Sequence, residues 1–204
     1  MGDAAYVLNA MLPQIKPAKH PDWMTMIQSW QAQDYHPVSD PTRLMPHQVI
    51  GEVCNQCGPD AVYVTDVGQH QMWAAQYLRH TKSRGFITSG GLGTMGYGLP
   101  AAIGARVGSE RFHEGEKPVW LIDGDGSFQM TSEELAAAFH DRTPVKIALL
   151  NNSVYGMVRQ WQTLFYGEHY SATNLMDGEN APEIVDVPDF VKLAEAYGCV
   201  GMHW

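Results

Sequence analysis

The sequence predicts an α/β fold: a doubly wound, mainly parallel sheet with helices on both faces, preceded by a short helical linker segment. Three observations predict it. From residue 47 onward, short apolar runs alternate with stretches of helical length and periodicity. The apolar runs at 119–122 and 147–150 carry no polar alternation, as strands buried on both faces do. The main runs close on turns rich in Gly, Asp or Asn, which places those residues beyond the carboxyl ends of the strands.

The elements follow in order. Residues 6–15 and 22–33 read as two amphipathic helices around a break at Lys16-Pro17, and 36–46 read as a Pro-, Asp- and Ser-containing linker. Residues 1–46 are therefore expected to be the helical tail of a preceding domain with its linker, and 47–204 the sheet domain. Within it, 47–57 predicts a helix with Val49, Ile50, Val53, Cys54 and Cys57 on one face. A strand at 61–65 leads through a turn at Val67-Gly68 into a helix reaching about Arg79. A strand at 86–88 is closed by Ser89-Gly90-Gly91-Leu92-Gly93, and a small-residue helix is expected over 95–107. The buried strand 118–123 turns at Gly124-Asp125-Gly126-Ser127. Thr131 and Glu134 have the spacing of a capping box for a helix ending near Asp141. The strand 145–150 is closed by Asn151-Asn152, helices at 154–165 and 189–197 follow, and 199–204 reads as a strand that stops in mid-pattern. That last feature gives the expectation of truncation.

Composition narrows the function. With 45% hydrophobic and 17% charged residues, the chain can build an ordinary core rather than remain disordered. A formal charge of −9, without any lysine-arginine stripe, argues against nucleic acid and anionic membranes as partners. The apolar runs are far too short to cross a bilayer, and no charged segment with an apolar core opens the chain. The expected location is cytoplasmic, or organellar in a eukaryote. Cys54 and Cys57 form a C-x-x-C, which suits a redox pair or half a zinc site. Cys199 is the one other cysteine, and the helical face holding Cys54 and Cys57 favours buried thiols.

The residues with chemistry fall at two strand ends. Asp125 lies just beyond the strand ending at Asp123, and Asn152 just beyond the strand ending at Leu150. If those strands are neighbours, a carboxylate and an amide oxygen converge. Hard oxygens of this kind suit Mg2+, which commonly keeps phosphate oxygens among its ligands. Gly124 and Gly126 would let the backbone approach a phosphate, and a bridging metal would reconcile an acidic chain with an anionic ligand. Either motif alone is no more than a tight turn; the two together, with one helix between them, point to a metal-bridged diphosphate cradle.

Gly124-Asp125-Gly126-Ser127 followed by Asn151-Asn152 resembles the signature of thiamine-diphosphate enzymes. The runs 67–76 (Val67-Gly68-Gln69-His70-Gln71-Met72-Trp73 onward), 89–105 (Ser89-Gly90-Gly91-Leu92-Gly93-Thr94-Met95-Gly96 onward) and 156–162 (Gly156-Met157-Val158-Arg159-Gln160-Trp161-Gln162) are similar to acetolactate synthase large subunits in particular. The similarity extends over essentially the whole chain. It implies a carboligase that decarboxylates pyruvate and joins the product to a second 2-ketoacid, in branched-chain amino-acid biosynthesis. Asp125, Asn152 and the carbonyl of Val154 match the Mg2+ ligands. Gly68, Gln69, His70, Gly124, Gly126, Ser127, Gly156 and Met157 match positions around the diphosphate and thiazolium of thiamine diphosphate. Gly93 and Met95 match positions that hydrogen-bond the aminopyrimidine, and Met95 also matches the apolar prop that bends the cofactor. Trp161 matches the substrate channel.

The resemblance implies more than this chain contains. The family's catalytic glutamate lies in a pyrimidine-binding domain, so no catalytic residue is expected here, and the isolated chain is expected to be inactive. FAD belongs to the parent enzyme and is not expected to bind this segment. A homodimer or tetramer with the site between subunits, and a small regulatory subunit, are the implied partners. Residues 171–186, with Asp177-Gly178-Glu179-Asn180 at their centre, look longer than the family's equivalent, so substrate access near Trp161 would differ. Within the thiamine enzymes, a 2-ketoacid decarboxylase or oxidase or a glyoxylate carboligase is the alternative. Gly91-Leu92-Gly93-Thr94-Met95-Gly96 also spells G-x-G-x-x-G, the phosphate loop of dinucleotide-binding oxidoreductases. That fold wants an acid about twenty residues on, and position 111 is Arg. A non-catalytic binding module is the remaining class, against which the intact Asp125 and Asn152 argue.

Overall fold

In the computed structural model the described residues are 2–33, 40–58, 60–111, 117–175 and 187–203. The chain divides into two units, Met1–Ser39 and Asp40–Trp204. In the first, α1 (Ala4–Met11) continues into a 3-10 turn at Leu12–Gln14, and α2 spans Pro21–Ala32. The Asp3 carboxylate accepts the Tyr6 N–H at 2.7 Å and so caps α1. Pro21 starts α2, where its missing N–H costs nothing. Neither helix has a buried residue.

The second unit is the predicted α/β sheet. Its elements are α3 (Pro46–Cys57), β1 (Val62–Thr65), α4 (Gln69–Tyr77), β2 (Phe86–Thr88), α5 (Gly98–Arg111), β3 (Val119–Gly124), α6 (Asp125–Phe128), α7 (Leu135–His140), β4 (Lys146–Leu150), α8 (Gly156–Phe165) and α9 (Phe190–Ala196). The strands lie in the order β2-β1-β3-β4, and every pair is parallel. Side chains alternate across the sheet, so each strand feeds two cores. On one face Tyr63, Trp120, Ile122 and Ala148 pack with Ile50, Val53 and Cys54 of α3 and Ala74 of α4. On the other, Val64, Val119, Leu121, Ile147 and Leu149 pack with Leu99 and Ala102 of α5, Phe128, Leu135 and Phe190. Helices thus cover both faces. Among the described residues no helix is long and apolar enough to cross a membrane.

Four local expectations are corrected. Helix α5 starts at Gly98, not 95, because Gly96 takes φ +86° and the Gly96 and Gly98 N–H groups donate to the Asp66 carboxylate instead. Thr131 makes no side-chain cap; its hydroxyl donates to the Gly96 carbonyl at 3.0 Å, and a 3-10 turn at Ser132–Glu134 precedes α7. Gly124–Ser127 is no simple turn, since Asp125–Phe128 coils into a helical turn directly off β3. Residues 199–203 are not a strand: the Cys199 N–H turns back to the Ala194 carbonyl and closes α9. The expectations placed on residues 36–39 of the linker, on 176–186 with their Asp177–Asn180 core, and on Trp204 lie outside the described residues.

Leu121 is fully buried between β3 and α5, whereas Val107 on α5 is 47% exposed. Leu121→Ala should therefore lower stability by about 2–5 kcal/mol and Val107→Ala by no more than about 0.5 kcal/mol. Urea unfolding of the two variants checks this, and equal midpoints would place Leu121 outside the core.

Candidate functional site

Parallel strands send their carboxyl ends to one edge, and at that edge the chain places acids and amides. Thr65 pairs with Ile122, and Gly124 pairs with Leu150, so β1, β3 and β4 end side by side. Beyond them stand Asp66, Asp125 and Asn151-Asn152. The strands leading to Asp125 and Asn152 are direct neighbours, which is the condition for those two side chains to converge.

Asp125 is 2% exposed. Burial pushes its carboxyl above the ordinary carboxylate range, while the N–H groups of Ser153, Gly126 and Asn152 pull it back. Its Oδ2 is buried without a hydrogen-bond partner. Leaving such an atom unmatched costs about 1–3 kcal/mol or more, so it calls for a proton or a cation. Asn152 is exposed; its Oδ1 accepts the Val154 N–H at 3.2 Å, and its Nδ2 donates to Gln69 Oε1 at 3.4 Å. Val154 bridges to Asn174, but the bonds of that bridge run from the Tyr155 N–H to the Thr173 carbonyl and from the Leu175 N–H to the Ser153 carbonyl. The Val154 carbonyl is not spent on them. A carboxylate, an amide oxygen and a backbone carbonyl are hard donors, and with the orphaned Oδ2 they fit a magnesium ion.

The glycines of the two turns are pressed by the protein itself. A Cβ on Gly124 would lie 2.6 Å from His70 Nδ1, and one on Gly126 would lie 2.6 Å from Tyr155 Cε1. A Cβ on Gly68 would lie 2.7 Å from His70 Cε1, and one on Gly156 would overlap Gln69 Oε1. Close approach does require glycine here, but the approaching groups are His70, Tyr155 and Gln69. Gln69 also donates to Gln160 Oε1 at 3.1 Å, joining the start of α4 to α8.

The remaining predicted residues fall into three places. His70 is 5% exposed, and burial pushes its imidazole down to about 4, so it is neutral at ordinary pH. Its Nε2 has no hydrogen-bond partner and lies 3.8 Å from Asp123 Oδ1. The Ser127 hydroxyl is turned inward and donates to Asp123 Oδ1 at 2.5 Å. Gly93, with φ +69°, and Met95 sit in the loop before α5, Gly93 exposed and Met95 half-buried. Gly156 and Met157 open α8, on which Trp161 is 56% exposed.

Two acids escaped the sequence reading. Asp66 and Asp123 are wholly buried, and with His70 they form a group whose polar atoms lie within 4.8 Å of one another. Burial, then the charge of Asp66, pushes the Asp123 carboxyl up to about 8. The signal was present: each acid directly follows or ends an apolar strand, Val62–Thr65 and Val119–Gly124.

Residues 66–203 match the thiamine pyrophosphate enzyme family, at its C-terminal TPP binding domain. The chain belongs to this family. Among similar proteins, the acetolactate synthase of Mycobacterium leprae is 46% identical over 212 residues, covering 100% of this chain and 32% of that protein. The acetolactate synthase large subunit of Corynebacterium glutamicum is 45% identical over 213 residues, with the same coverage. The mitochondrial acetolactate synthase catalytic subunit of Saccharomyces cerevisiae is 45% identical over 209 residues, covering 99% of this chain and 28% of that protein. The chain thus spans about a third of the length of these curated relatives. A solved structure, the thiamine diphosphate-dependent 4-hydroxybenzoylformate decarboxylase of Rhodococcus jostii RHA1, superposes with a TM-score of 0.66 at 27% identity, covering 80% of this chain and 28% of that one. The thiamine pyrophosphate-binding domain accounts for the sheet, its edge, and the placement of acids and glycines there. The G-x-G-x-x-G reading falls away: Gly91–Gly96 leads into α5 of a thiamine-binding fold.

The buried pair His70 and Asp123 sets a pH dependence. The raised Asp123 carboxyl holds a proton that the unfolded chain releases, so its contribution is full below pH 3.8 and is lost as pH rises through about 8. The depressed His70 works the other way: its contribution is full above pH 6.5 and is lost as pH falls toward about 4. Of this pair, only the Asp123 slope remains from pH 6.5 to 8, and the raised carboxyls of Asp66 and Asp125 act in the same direction. The thermal midpoint of the metal- and cofactor-free protein should fall across that window, and Asp123→Asn should flatten the fall. A wild-type midpoint that rises there would contradict the assignment.

Proposed function

We propose that this chain is the magnesium- and diphosphate-binding portion of an acetolactate synthase. The observation that carries the reading is the unmatched Asp125 Oδ2, buried beside Asn152 at the ends of adjacent strands. In this reading Asp125 Oδ2, the Asn152 amide oxygen and the Val154 carbonyl hold Mg2+. The backbone around Gly68, Gln69 and His70, with Gly124, Gly126, Ser127, Gly156 and Met157, borders the diphosphate and thiazolium. Gly93 and Met95 border the aminopyrimidine, and Trp161 borders the path of the substrate.

When bound, thiamine diphosphate supplies a carbon nucleophile and electron sink for 2-ketoacids. The protein's part is binding, orientation and exclusion of water. Asp125 provides a full charge for the metal, which in turn lets an acidic chain hold an anionic cofactor. Gln69 ties the Asn152 turn to α8, so the metal shell and the channel residue Trp161 stand on one connected frame. His70, being neutral and buried, supports the turns of Gly68 and Gly124 without adding charge beneath the metal.

Support for acetolactate formation comes from the 45–46% identity to relatives of that name across the whole chain. The thiamine diphosphate-dependent decarboxylase of Rhodococcus jostii RHA1, at 27% identity, shares the fold but stands further off in sequence. The proposed full-length enzyme adds a pyrimidine-binding domain with a catalytic glutamate, an FAD-associated domain, and a second subunit that completes the site. A small regulatory subunit and residence in the cytoplasm or an organelle belong to the same proposal.

Two measurements test it. Asp125→Ala in the full-length protein should abolish magnesium-dependent retention of thiamine diphosphate, because water cannot replace the charge. Calorimetry with unchanged affinity would remove Asp125 from the metal shell. Given pyruvate, Mg2+ and thiamine diphosphate, the full-length protein should form acetolactate, while these 204 residues alone should fall short by at least the factor of about 10²–10⁴ that losing one general acid–base group costs. Ordinary turnover by the 204 residues would overturn the proposed division of the site.

A further inference from the structure

Asp66 is a wholly buried acid that nothing so far employs. It follows β1, and its carboxylate accepts three backbone N–H groups: Val67 at 2.6 Å, Gly96 at 3.0 Å and Gly98 at 2.5 Å. Val67 opens the turn that carries Gly68, Gln69 and His70. Gly96 belongs to the loop that carries Gly93 and Met95, and Gly98 is where that loop enters α5. One side chain therefore holds together two segments that lie about thirty residues apart in sequence (the bonds span 30 and 32 positions).

The second segment has little else to order it. Between Phe86–Thr88 and Gly98–Arg111 it forms no helix or strand, and its Leu92 is 94% exposed. Apart from the helical bonds of α5, its other hydrogen bonds among the described residues are from Gln71 Nε2 to the Ser89 carbonyl at 3.4 Å, from the Thr94 N–H to the Ser89 hydroxyl at 3.1 Å, and from the Thr131 hydroxyl to the Gly96 carbonyl. The fit at the clamp is tight. A Cβ on Gly98 would lie 2.8 Å from Asp66 Cβ and 2.8 Å from Leu121 Cδ1. For stability alone a buried carboxylate is a poor choice, since its desolvation is offset only by those N–H groups. Its distinctive property is geometric: two oxygens with several lone pairs can take three N–H groups at once.

We infer that Asp66 is a positioning residue of the cofactor site, fixing the distance between the diphosphate-side turn and the aminopyrimidine-side loop. The inference rests on the cofactor reading above, and it adds a residue that touches neither cofactor nor metal. Asp66→Asn conserves shape but turns an NH2 group toward a backbone N–H. The amide oxygen can keep Val67 and Gly96, and Gly98 is released.

The test uses the full-length protein, with Mg2+ and two probes, thiamine diphosphate and inorganic diphosphate. Inorganic diphosphate reads the metal cradle alone; thiamine diphosphate also reads the aminopyrimidine side. For Asp66→Asn, calorimetry should show thiamine diphosphate binding weakened at least about tenfold, with inorganic diphosphate changed less than about twofold, a split beyond the scatter expected for a distant surface change. Equal loss of both probes would mean a merely structural role, and no loss of either would remove the clamp; each overturns the inference. Hydrogen exchange on the wild-type protein supplies a reading that does not depend on the variant folding. The amides of Gly96, in the loop, and of Gly98, at the first position of α5 where no intrahelical partner exists, should exchange slowly, and exchange at the rate of open loops would overturn the clamp. A wild-type protein that binds neither probe would remove the cofactor reading itself, a result distinct from selective failure of the variant.

Discussion

Three carboxylates buried at one sheet edge, Asp66, Asp123 and Asp125, are the constraint around which the rest of the domain is arranged. Buried charge is unfavourable unless something compensates it, and among the described residues no lysine or arginine is a cause of the shift at any of the three. Each is compensated differently. Asp66 takes three backbone N–H groups. Asp123 keeps its proton, raised to about 8 by burial and by its neighbour, and accepts the Ser127 hydroxyl and its own following N–H. Asp125 has backbone N–H groups of Ser153, Gly126 and Asn152 that favour its charged form, and an unmatched Oδ2. Asp123 Oδ2 is also without a partner, but it belongs to the carboxyl that keeps its proton, so the demand for a cation falls on Asp125 Oδ2.

The topology makes that concentration possible. In an antiparallel sheet, successive strand ends would alternate between two edges; here four parallel strands in the order β2-β1-β3-β4 bring every carboxyl end to one. β1 and β4 flank β3, so Asp66 and Asn152 arrive on either side of Asp125. The two-faced core fixes this register. Leu121 and Ile122 face opposite layers of helices, and a slip by one residue would exchange them and misplace every group beyond the strand ends.

Much of this was legible in the sequence, and what was missed shares one cause. Strands showed as unbroken apolar runs, and the Asp125 and Asn152 turns showed as polar residues set where such runs stop. Their convergence needed only that β3 and β4 be neighbours, which one intervening helical segment favours. Asp66 was not legible, because two of its three partners lie about thirty residues away and all are backbone groups that carry no residue signature. The same interaction delays α5 to Gly98 and draws the Thr131 hydroxyl to Gly96, cancelling the capping box that local spacing suggested. Glycine at 124 and 126 was legible as a need for close approach, but not the identity of what approaches. His70 and Tyr155 fill that space, and only the folded chain brings them there.

His70 shows how the layer beneath the metal site is kept electrically quiet. Its imidazole lies against Gly68 and Gly124 and is buried enough to be neutral at any pH where the protein would work. Asp123, 3.8 Å away, is protonated up to about pH 8. A charged histidine there would repel a cation held by Asp125, and a charged Asp123 would offer that cation a competing ligand two residues from the intended one. Neutral partners do neither. The acidic balance of the whole chain, −9, would by itself repel a diphosphate. With His70 and Asp123 neutral, the field at the mouth of the site is set by the Asp125 and Asp66 carboxylates and by whatever cation satisfies Asp125 Oδ2. In the proposed site a divalent ion would reverse the local sign, so that metal and anion would favour each other's binding where neither the acidic surface nor a lone carboxylate would hold the anion.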